Sequence, residues 1–163
     1  MTRTLLITGG AGFVGSAIAL DWKLRHPTDR VIAFDNLKRR GSELNLPRLK
    51  ASSIEFVHGD VRSIADLMGL PRIDALVECS AEPSVLAGYG GDARYVIDTN
   101  LLGTVNCLEL VARDKADIVF LSTSRVYPIA AINGSCVEAN GKFAIDPNAA
   151  VRGASVHGIS EDF

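Results

Sequence analysis

Five short apolar runs recur along the chain between more polar segments. They lie at residues 4–8, 31–35, 53–59, 73–79 and 116–124 and are rich in β-branched and large apolar side chains. Because the runs are nearly continuous and do not alternate with polar residues, they predict strands buried on both faces, as a parallel sheet requires.

Helical patterns separate these strands. One runs from about residue 12 to residue 26, ahead of Pro27, and a longer one runs from about residue 92 to residue 114. Apolar residues recur at helical spacing in the first (Val14, Ala17, Ile18, Trp22) and in the second (Val96, Leu101, Val105, Leu108, Val111). The alternation of strand and helix through residue 124 predicts an α/β fold, a doubly wound parallel sheet of the Rossmann type.

The pattern changes after Val126. Residues 128–158 are rich in Gly, Asn, Pro and Ala and have no sustained periodicity, although Asn140-Gly141 between two short apolar runs predicts a small hairpin. We find no linker, and therefore interpret residues 1–163 as one domain.

Composition narrows the function classes. The chain has 163 residues, 47% hydrophobic and 22% charged, as in one soluble globular domain. Its net charge of −2 and dispersed basic residues argue against nucleic acid as a partner. No stretch approaches about 18 consecutive apolar residues, which argues against a membrane span. An odd number of widely spaced cysteines, with scattered histidines, indicates reduced thiols in a cytoplasm and no metal site.

The segment TGGAGFVGS places Gly9, Gly12 and Gly15 between the first strand and the first helix. In this context glycines permit a tight turn, let backbone approach a diphosphate and let the helix pack on the strand. A purely structural turn would use the same residues. Asp35 ends the second strand 20 residues after Gly15, the spacing of a carboxylate that binds the adenosine ribose. Together these features favour a dinucleotide.

Two further points stay open at this stage. Asp35 repels a 2′-phosphate and favours NAD over NADP, yet Lys38, Arg39 and Arg40 follow it, either as a solvated loop or as partners of that phosphate. Asp60, after the third strand, suits either the adenine amino group or an ordinary strand-end or capping role.

Six segments carry a resemblance to a known family. TGGAGFVGS, FDNL, HGDVR, CSAEPSV, NLLGTVNCLE and LSTSRVYP stand in the order seen in extended short-chain dehydrogenases/reductases. More narrowly, the chain resembles NAD-dependent nucleotide-sugar epimerases, and the loop FDNLKRRGSELNLPRL and the ending GISEDF look most like those of CDP-paratose (tyvelose) 2-epimerases.

The resemblance implies roles for individual residues. The diphosphate would lie along Gly9, Gly12, Phe13, Val14 and Gly15. The adenosine ribose would bind Asp35 and Asn36, the adenine Asp60 and Val61, and the cofactor would run past Cys79, Ser80 and Ala81. Asn100 matches the family's helix asparagine near the active site, although an Asn bonded only to backbone would look the same in the sequence.

The resemblance also implies a reaction. Such enzymes oxidise a sugar carbon by hydride transfer to NAD and return the hydride on the other face. Thr123 matches the active-site Ser/Thr that polarises the sugar oxygen, whereas Tyr127 belongs to the packing. The family's base is a Tyr-x-x-x-Lys pair, and Tyr89, Tyr95 and Tyr127 have no lysine four residues on. We therefore expect the N-terminal part of such an enzyme, truncated before the last strand and the substrate domain, and inactive alone.

Alternatives remain. A nucleotide-sugar dehydratase would have Asp-Glu directly after the threonine, where this chain has Ser124 and Arg125, and a reductase would use the same scaffold. A non-catalytic NAD-binding module would also lack the Tyr-Lys pair. The substrate implied for the whole enzyme is a nucleotide sugar linked to CDP. We expect self-association or poor solubility, with residues 92–114 as the helix of a homodimer.

Overall fold

A five-stranded parallel sheet organises the first part of the molecule. The computed structural model describes residues 2–84, 86–123, 126–149 and 151–163, which divide into two compact units, residues 1–121 and 122–163. The strands are β1 (Thr4–Thr8), β2 (Arg30–Asp35), β3 (Glu55–His58), β4 (Ala75–Glu78) and β5 (Asp117–Phe120), in the order β3-β2-β1-β4-β5. All four pairings are parallel. The predicted fold class is confirmed.

Helices cover both faces of this sheet. They are α1 (Phe13–Arg25), α2 (Leu46–Ala51), α3 (Ile64–Met68), α4 (Ala93–Ile97) and α5 (Gly103–Asp114). Successive residues of β1 enter opposite cores: Leu6 packs with Leu67 of α3 and Leu110 of α5, whereas Leu5 and Ile7 belong to a second cluster with α1 and α2. Each such fully buried side chain contributes on the order of 1.5–3 kcal/mol.

The expectation that every strand is buried on both faces holds only for the centre of the sheet. β1, β2 and β4 are almost wholly buried, whereas β3 and β5 are largely exposed or half-buried. The reason is their position, because β3 and β5 are the two edges of the sheet.

The two long helices bury different residues from those that the apolar pattern singled out. In α1 the buried residues are small (Gly15, Ser16 and Ala19), which lets the helix approach the sheet closely. The predicted helix from residue 92 to 114 consists of α4, a π-helical turn at Asp98–Leu102 and α5. Its apolar residues Leu101, Val105 and Leu108 are exposed, while Cys107 and Leu110 pack inward.

The second unit contains the predicted hairpin. Strands β6 (Cys136–Ala139) and β7 (Lys142–Ile145) pair antiparallel around Asn140 and Gly141, which both have positive φ, as a tight primed turn requires. The same unit holds α6 (Ile129–Gly134) and a short pair, β8 (Ala154–Ser155) with β9 (Gly158–Ile159). These three elements were not predicted. No helix in the described ranges is long and apolar enough to cross a membrane.

Candidate functional site

A cavity of about 730 Å³ lies within the first unit, at the carboxyl ends of β1, β2 and β4. Its size falls in the usual range for small-molecule and cofactor sites. This edge of a doubly wound sheet is where ligands bind in such folds. Most of the residues predicted from the sequence line it: Gly9, Gly12, Phe13, Val14, Gly15, Asp35, Asn36, Val61, Cys79, Ser80 and Ala81.

The glycine turn between β1 and α1 has no room for side chains. Gly9 has a φ of +61°, and a Cβ there would lie 2.7 Å from the carbonyl oxygen of Cys79. A Cβ on Gly15 would overlap the carbonyl oxygen of Gly9, and one on Gly12 would lie 3.0 Å from that same oxygen. The turn is therefore tight and presents bare backbone to the cavity, as close approach by a diphosphate requires.

The start of α1 can accept an anion. The first N–H groups of a helix have no intrahelical acceptor. In this fully described turn the cap residue Gly12 supplies no side-chain acceptor, and no acidic residue is present. Phe13 is 91% exposed, so the opening of the helix is accessible. The N-terminus of α1 thus offers free donors and positive potential to a phosphate group.

Asp35 connects the glycine turn with the loop after β2. Its Oδ2 accepts the backbone N–H of Ala11 at 3.1 Å, and its Oδ1 accepts the N–H of Leu37 at 2.8 Å. A carboxylate has about four acceptor positions, so the contacts among the described residues leave two for further donors such as the two hydroxyls of a ribose. Asn45 ties the same turn from the other side, because its Nδ2 donates to the carbonyl of Ala11 at 2.8 Å.

Asp60 follows β3 and does not itself line the described cavity. Arg62 binds its carboxylate through Nε at 2.9 Å and Nη2 at 2.6 Å, and the Arg62 backbone N–H donates at 2.9 Å. The fourth donor is Asn36 Nδ2, at 2.9 Å. The Arg62 guanidinium holds the pKa of Asp60 well below its usual range. The ionised carboxylate therefore has a full set of donors and orients Asn36.

The π-helical turn places Thr99 and Asn100 differently. Thr99 lines the cavity, and within the described ranges its Oγ1 is the one buried side-chain polar atom without a hydrogen-bond partner. A buried hydroxyl without a partner is uncommon in native structures. Asn100 does not line the cavity, and its amide pairs with the backbone of Glu82, accepting at 2.7 Å and donating at 3.2 Å. It fixes the loop after β4.

A buried polar network supports the floor of the site. Glu78, only 2% exposed, ends β4, and its Oε1 accepts the Thr8 hydroxyl at 3.3 Å and the Ser80 N–H at 2.9 Å. Thr8 Oγ1 in turn accepts the N–H of Cys79 at 3.2 Å. Burial raises the pKa of Glu78, and burial together with the Glu78 charge raises the pKa of Cys79 to about 12. Cys79 is therefore an inert thiol that shapes the wall.

Several lining residues were not found from the sequence as site residues. They are Phe34, Ser42, Gly59, Glu82, Pro83, Tyr95 and Thr99. The basic run Lys38, Arg39 and Arg40, which the sequence left open as a solvated loop or as partners of a 2′-phosphate, is exposed and borders the cavity. Its proximity to Asp35 was a usable signal. Tyr95 and Thr99 carried no such signal in the sequence, because only tertiary packing brings α4 and the π-helical turn to the site.

Thr123 belongs to the second unit and is exposed, and its predicted role stays a prediction. Ser124 and Arg125, on which the comparison with dehydratases rests, lie outside the described residues. Tyr127 packs edge-on against Phe163, with ring centroids 5.5 Å apart. The three cysteines are free. The described residues contain no group of three or more His, Cys, Asp or Glu side chains that could hold a metal ion.

Comparison with known proteins agrees with this geometry. Residues 5–149 match the model of the NAD dependent epimerase/dehydratase family. The CDP-paratose 2-epimerase of Salmonella typhi is 35% identical over 129 residues, covering 76% of this chain and 37% of that protein. The dTDP-glucose 4,6-dehydratase of Mycobacterium tuberculosis is 33% identical over 125 residues, which again cover 76% of this chain and 37% of that protein.

A solved structure gives the same result. The dTDP-glucose 4,6-dehydratase DesIV of Streptomyces venezuelae, a double mutant with NAD bound, superposes with a TM-score of 0.65 at 35% identity, covering 76% of this chain and 40% of that one. The chain thus spans well under half the length of the relatives it matches. The cofactor predicted from the glycine turn and Asp35, NAD, is the cofactor of this family. On these grounds the chain belongs to the NAD dependent epimerase/dehydratase family.

Proposed function

We propose that residues 1–163 are the NAD-binding part of a nucleotide-sugar epimerase. The observation that carries the proposal is the cavity at the carboxyl edge of the sheet, where the glycine turn, the N-terminus of α1 and Asp35 come together. When bound, NAD supplies the hydride acceptor and donor for a sugar carbon. The residues of this chain bind and orient it.

Each part of the cavity suits one part of the dinucleotide. The backbone of Gly12, Phe13 and Val14 faces the cavity where a diphosphate can accept N–H donors. Asp35 keeps two acceptor positions for the adenosine ribose. Thr99 is a further residue of the cavity lining, and its hydroxyl is buried without a partner among the described residues.

Two of the predicted cofactor contacts are better explained as support. Asp60 has four donors already, so we propose that it positions Asn36 and leaves the adenine edge to Val61 and its neighbours. Asn100 holds the backbone of Glu82 and so fixes the loop that follows Cys79, Ser80 and Ala81. Both residues then act on the cofactor through another group.

The chemical step needs groups of two kinds. Thr123 is our candidate for the hydroxyl that hydrogen-bonds the sugar oxygen as it becomes a ketone. The proton acceptor of the family is a Tyr-x-x-x-Lys pair, which the sequence of residues 1–163 does not contain. We propose that it belongs to the remainder of the enzyme, together with the residues that recognise the sugar.

The substrate class follows from the relatives, and two reactions compete. An epimerase acting at carbon 2 of a CDP-linked sugar is favoured by the similarity to the Salmonella enzyme and by Ser124 and Arg125, which stand where a dehydratase needs an acid pair. The almost equal similarity to a 4,6-dehydratase keeps elimination of water as the second candidate.

An activity assay distinguishes these reactions. Protein expressed from the whole natural gene is incubated with CDP-paratose and, separately, with dTDP-glucose, and the products are identified by NMR. We expect the 2-epimer with no net change in NAD, and no turnover by residues 1–163 alone, because these lack the tyrosine base. A 4-keto product from dTDP-glucose would contradict the epimerase assignment. Turnover by the 163-residue chain would contradict the proposal that the catalytic base belongs to the remainder of the enzyme.

A further inference from the structure

Two cations that belong to different loops lie over the ring of Tyr95. The Lys38 Nζ atom is 3.6 Å from the centre of the tyrosine ring, and the Arg62 Cζ atom is 5.2 Å from it. Both distances fall within the roughly 6 Å over which a cation is attracted to an aromatic face. Lys38 follows β2, Arg62 follows β3, and Tyr95 comes from α4, so one ring joins three elements that border the cavity.

The two cations lead to the same residue. The Lys38 backbone N–H donates to Asn36 Oδ1 at 2.9 Å. Arg62 binds both carboxylate oxygens of Asp60, which accepts Asn36 Nδ2 at 2.9 Å. The contacts therefore form a closed circuit from Tyr95 through Lys38, Asn36, Asp60 and Arg62 back to Tyr95. Tyr95, Lys38 and Asn36 all line the cavity.

We propose that Tyr95 is a positioning residue for the adenosine half of the cofactor, an inference that rests on the proposed function. Its ring fixes Lys38 and Arg62, and through them it fixes the Asn36 side chain beside Asp35. A binding site whose loops are ordered in advance loses less conformational entropy when the ligand binds. Without the ring, the two loops become ordered only when the ligand binds. The protein therefore binds every ligand that contains adenosine with lower affinity.

Calorimetric titration of the purified protein tests this role. The ligands are NAD⁺ and ADP-ribose, which lacks the nicotinamide. Tyr95→Leu is expected to weaken both by about three- to tenfold, the range that two cation–π contacts can supply. Tyr95→Phe keeps the ring and is expected to stay within about twofold of the wild type. Tyr89→Leu is the matched control, since Tyr89 is 90% exposed and lies outside the cavity lining.

A double variant separates positioning from general loss of structure. Lys38→Met alone loses one of the contacts to the ring, and Tyr95→Leu loses both. If the ring acts through Lys38, the double variant binds NAD⁺ about as weakly as Tyr95→Leu alone. Fully additive losses would contradict the circuit. Should Tyr95→Leu not fold, the same cycle is run with Tyr95→Met, which keeps a side chain of similar reach.

The outcomes distinguish this inference from the function on which it rests. If the wild type binds neither NAD⁺ nor ADP-ribose, the proposed function fails and the role of Tyr95 fails with it. If the wild type binds both and Tyr95→Leu binds them equally well, only the role of Tyr95 is overturned. Equal losses in the Leu and Phe variants would also overturn it, because they would assign the effect to the hydroxyl.

Discussion

Glu78 is a carboxyl group whose environment favours the protonated form. It is buried under the glycine turn and accepts hydrogen bonds from Thr8 and Ser80, yet no cation is among its hydrogen-bond partners in the described structure. Burial therefore raises its pKa. The folded state binds this proton more tightly than the unfolded chain does, so ionisation of Glu78 destabilises the fold.

The sign of the resulting pH dependence follows from that shift. As pH rises from about 4.3, the unfolded value for glutamate, through the raised folded value, the free energy of unfolding decreases. Glu78→Gln removes this titration and keeps an oxygen to accept from Thr8 and Ser80. Urea unfolding followed from about pH 4.3 upward, the direction in which the raised pKa acts, is expected to show a smaller decrease for the variant. Parallel curves for the two proteins would contradict a raised pKa.

Residue by residue, the sequence predicted the parts of the site that local chain geometry specifies. Gly9, Gly12, Gly15 and Asp35 lie where the strand–turn–helix motif and its spacing place them. Thr99 was not predicted because a threonine in a helical pattern carries no signal, and only tertiary packing brings it to the cavity. The support role of Asp60 depends on Arg62 and Asn36, a local arrangement that spacing does not encode.

Among the elements, α1 packs closely against the end of β1, and the glycines of the turn make this close contact possible. Gly15→Ala would normally favour a helix by about 1 kcal/mol, but its Cβ would overlap the Gly9 carbonyl oxygen. We expect net destabilisation of at least about 2 kcal/mol, typical of overpacking against backbone, measured by urea unfolding. Gly134→Ala is the control, because a Cβ there meets no atom within 4 Å. Equal effects of the two changes would contradict the tight contact.

The strands and the two long helices were predictable as elements because each extends over enough residues for its period to be visible. The short helices α2 and α3, with six and five residues, were not, since one turn carries too few apolar positions. In α5 the inward face includes Asn106, whose Nδ2 donates to the carbonyl of Val61 at 2.8 Å. Because this buried position is occupied by a hydrogen-bonded polar residue, the inward face of α5 does not stand out as an apolar pattern in the sequence. The exposed apolar stripe on the same helix does, and it was therefore the face that the pattern singled out.

That exposed stripe is our candidate for a surface that pairs with a second copy of the chain. It runs from the end of α4 along the π-helical turn and α5, and consists of Ile97, Leu101, Val105 and Leu108. Leu101, 63% exposed, lies in its middle. We propose a homodimer through this stripe. Leu101→Asp is expected to shift sedimentation equilibrium toward the monomer by at least about tenfold in Kd, a loss of about 1.4 kcal/mol.

Leu24→Asp is the matched control for that experiment. Leu24 is a large apolar residue on α1 that is 81% exposed and lies outside the stripe. Its change is expected to leave the association constant as in the wild type. A wild type that sediments as a monomer at all concentrations, or equal dissociation of both variants, would contradict the assignment of the stripe.

For the whole molecule, we infer that the cavity at the carboxyl edge of the sheet binds NAD through Asp35. Calorimetric titration of NAD⁺ into the wild type, Asp35→Ala and the surface control Asp21→Ala tests it most directly. We expect NAD⁺ to bind saturably to the wild type and to Asp21→Ala. Asp35→Ala is expected to bind NAD⁺ about tenfold or more weakly, because it loses charge-assisted hydrogen bonds. The wild type is expected to bind NADP⁺ more weakly than NAD⁺. Equal affinity of the wild type and Asp35→Ala for NAD⁺, or no binding to any of the three proteins, would contradict the claim.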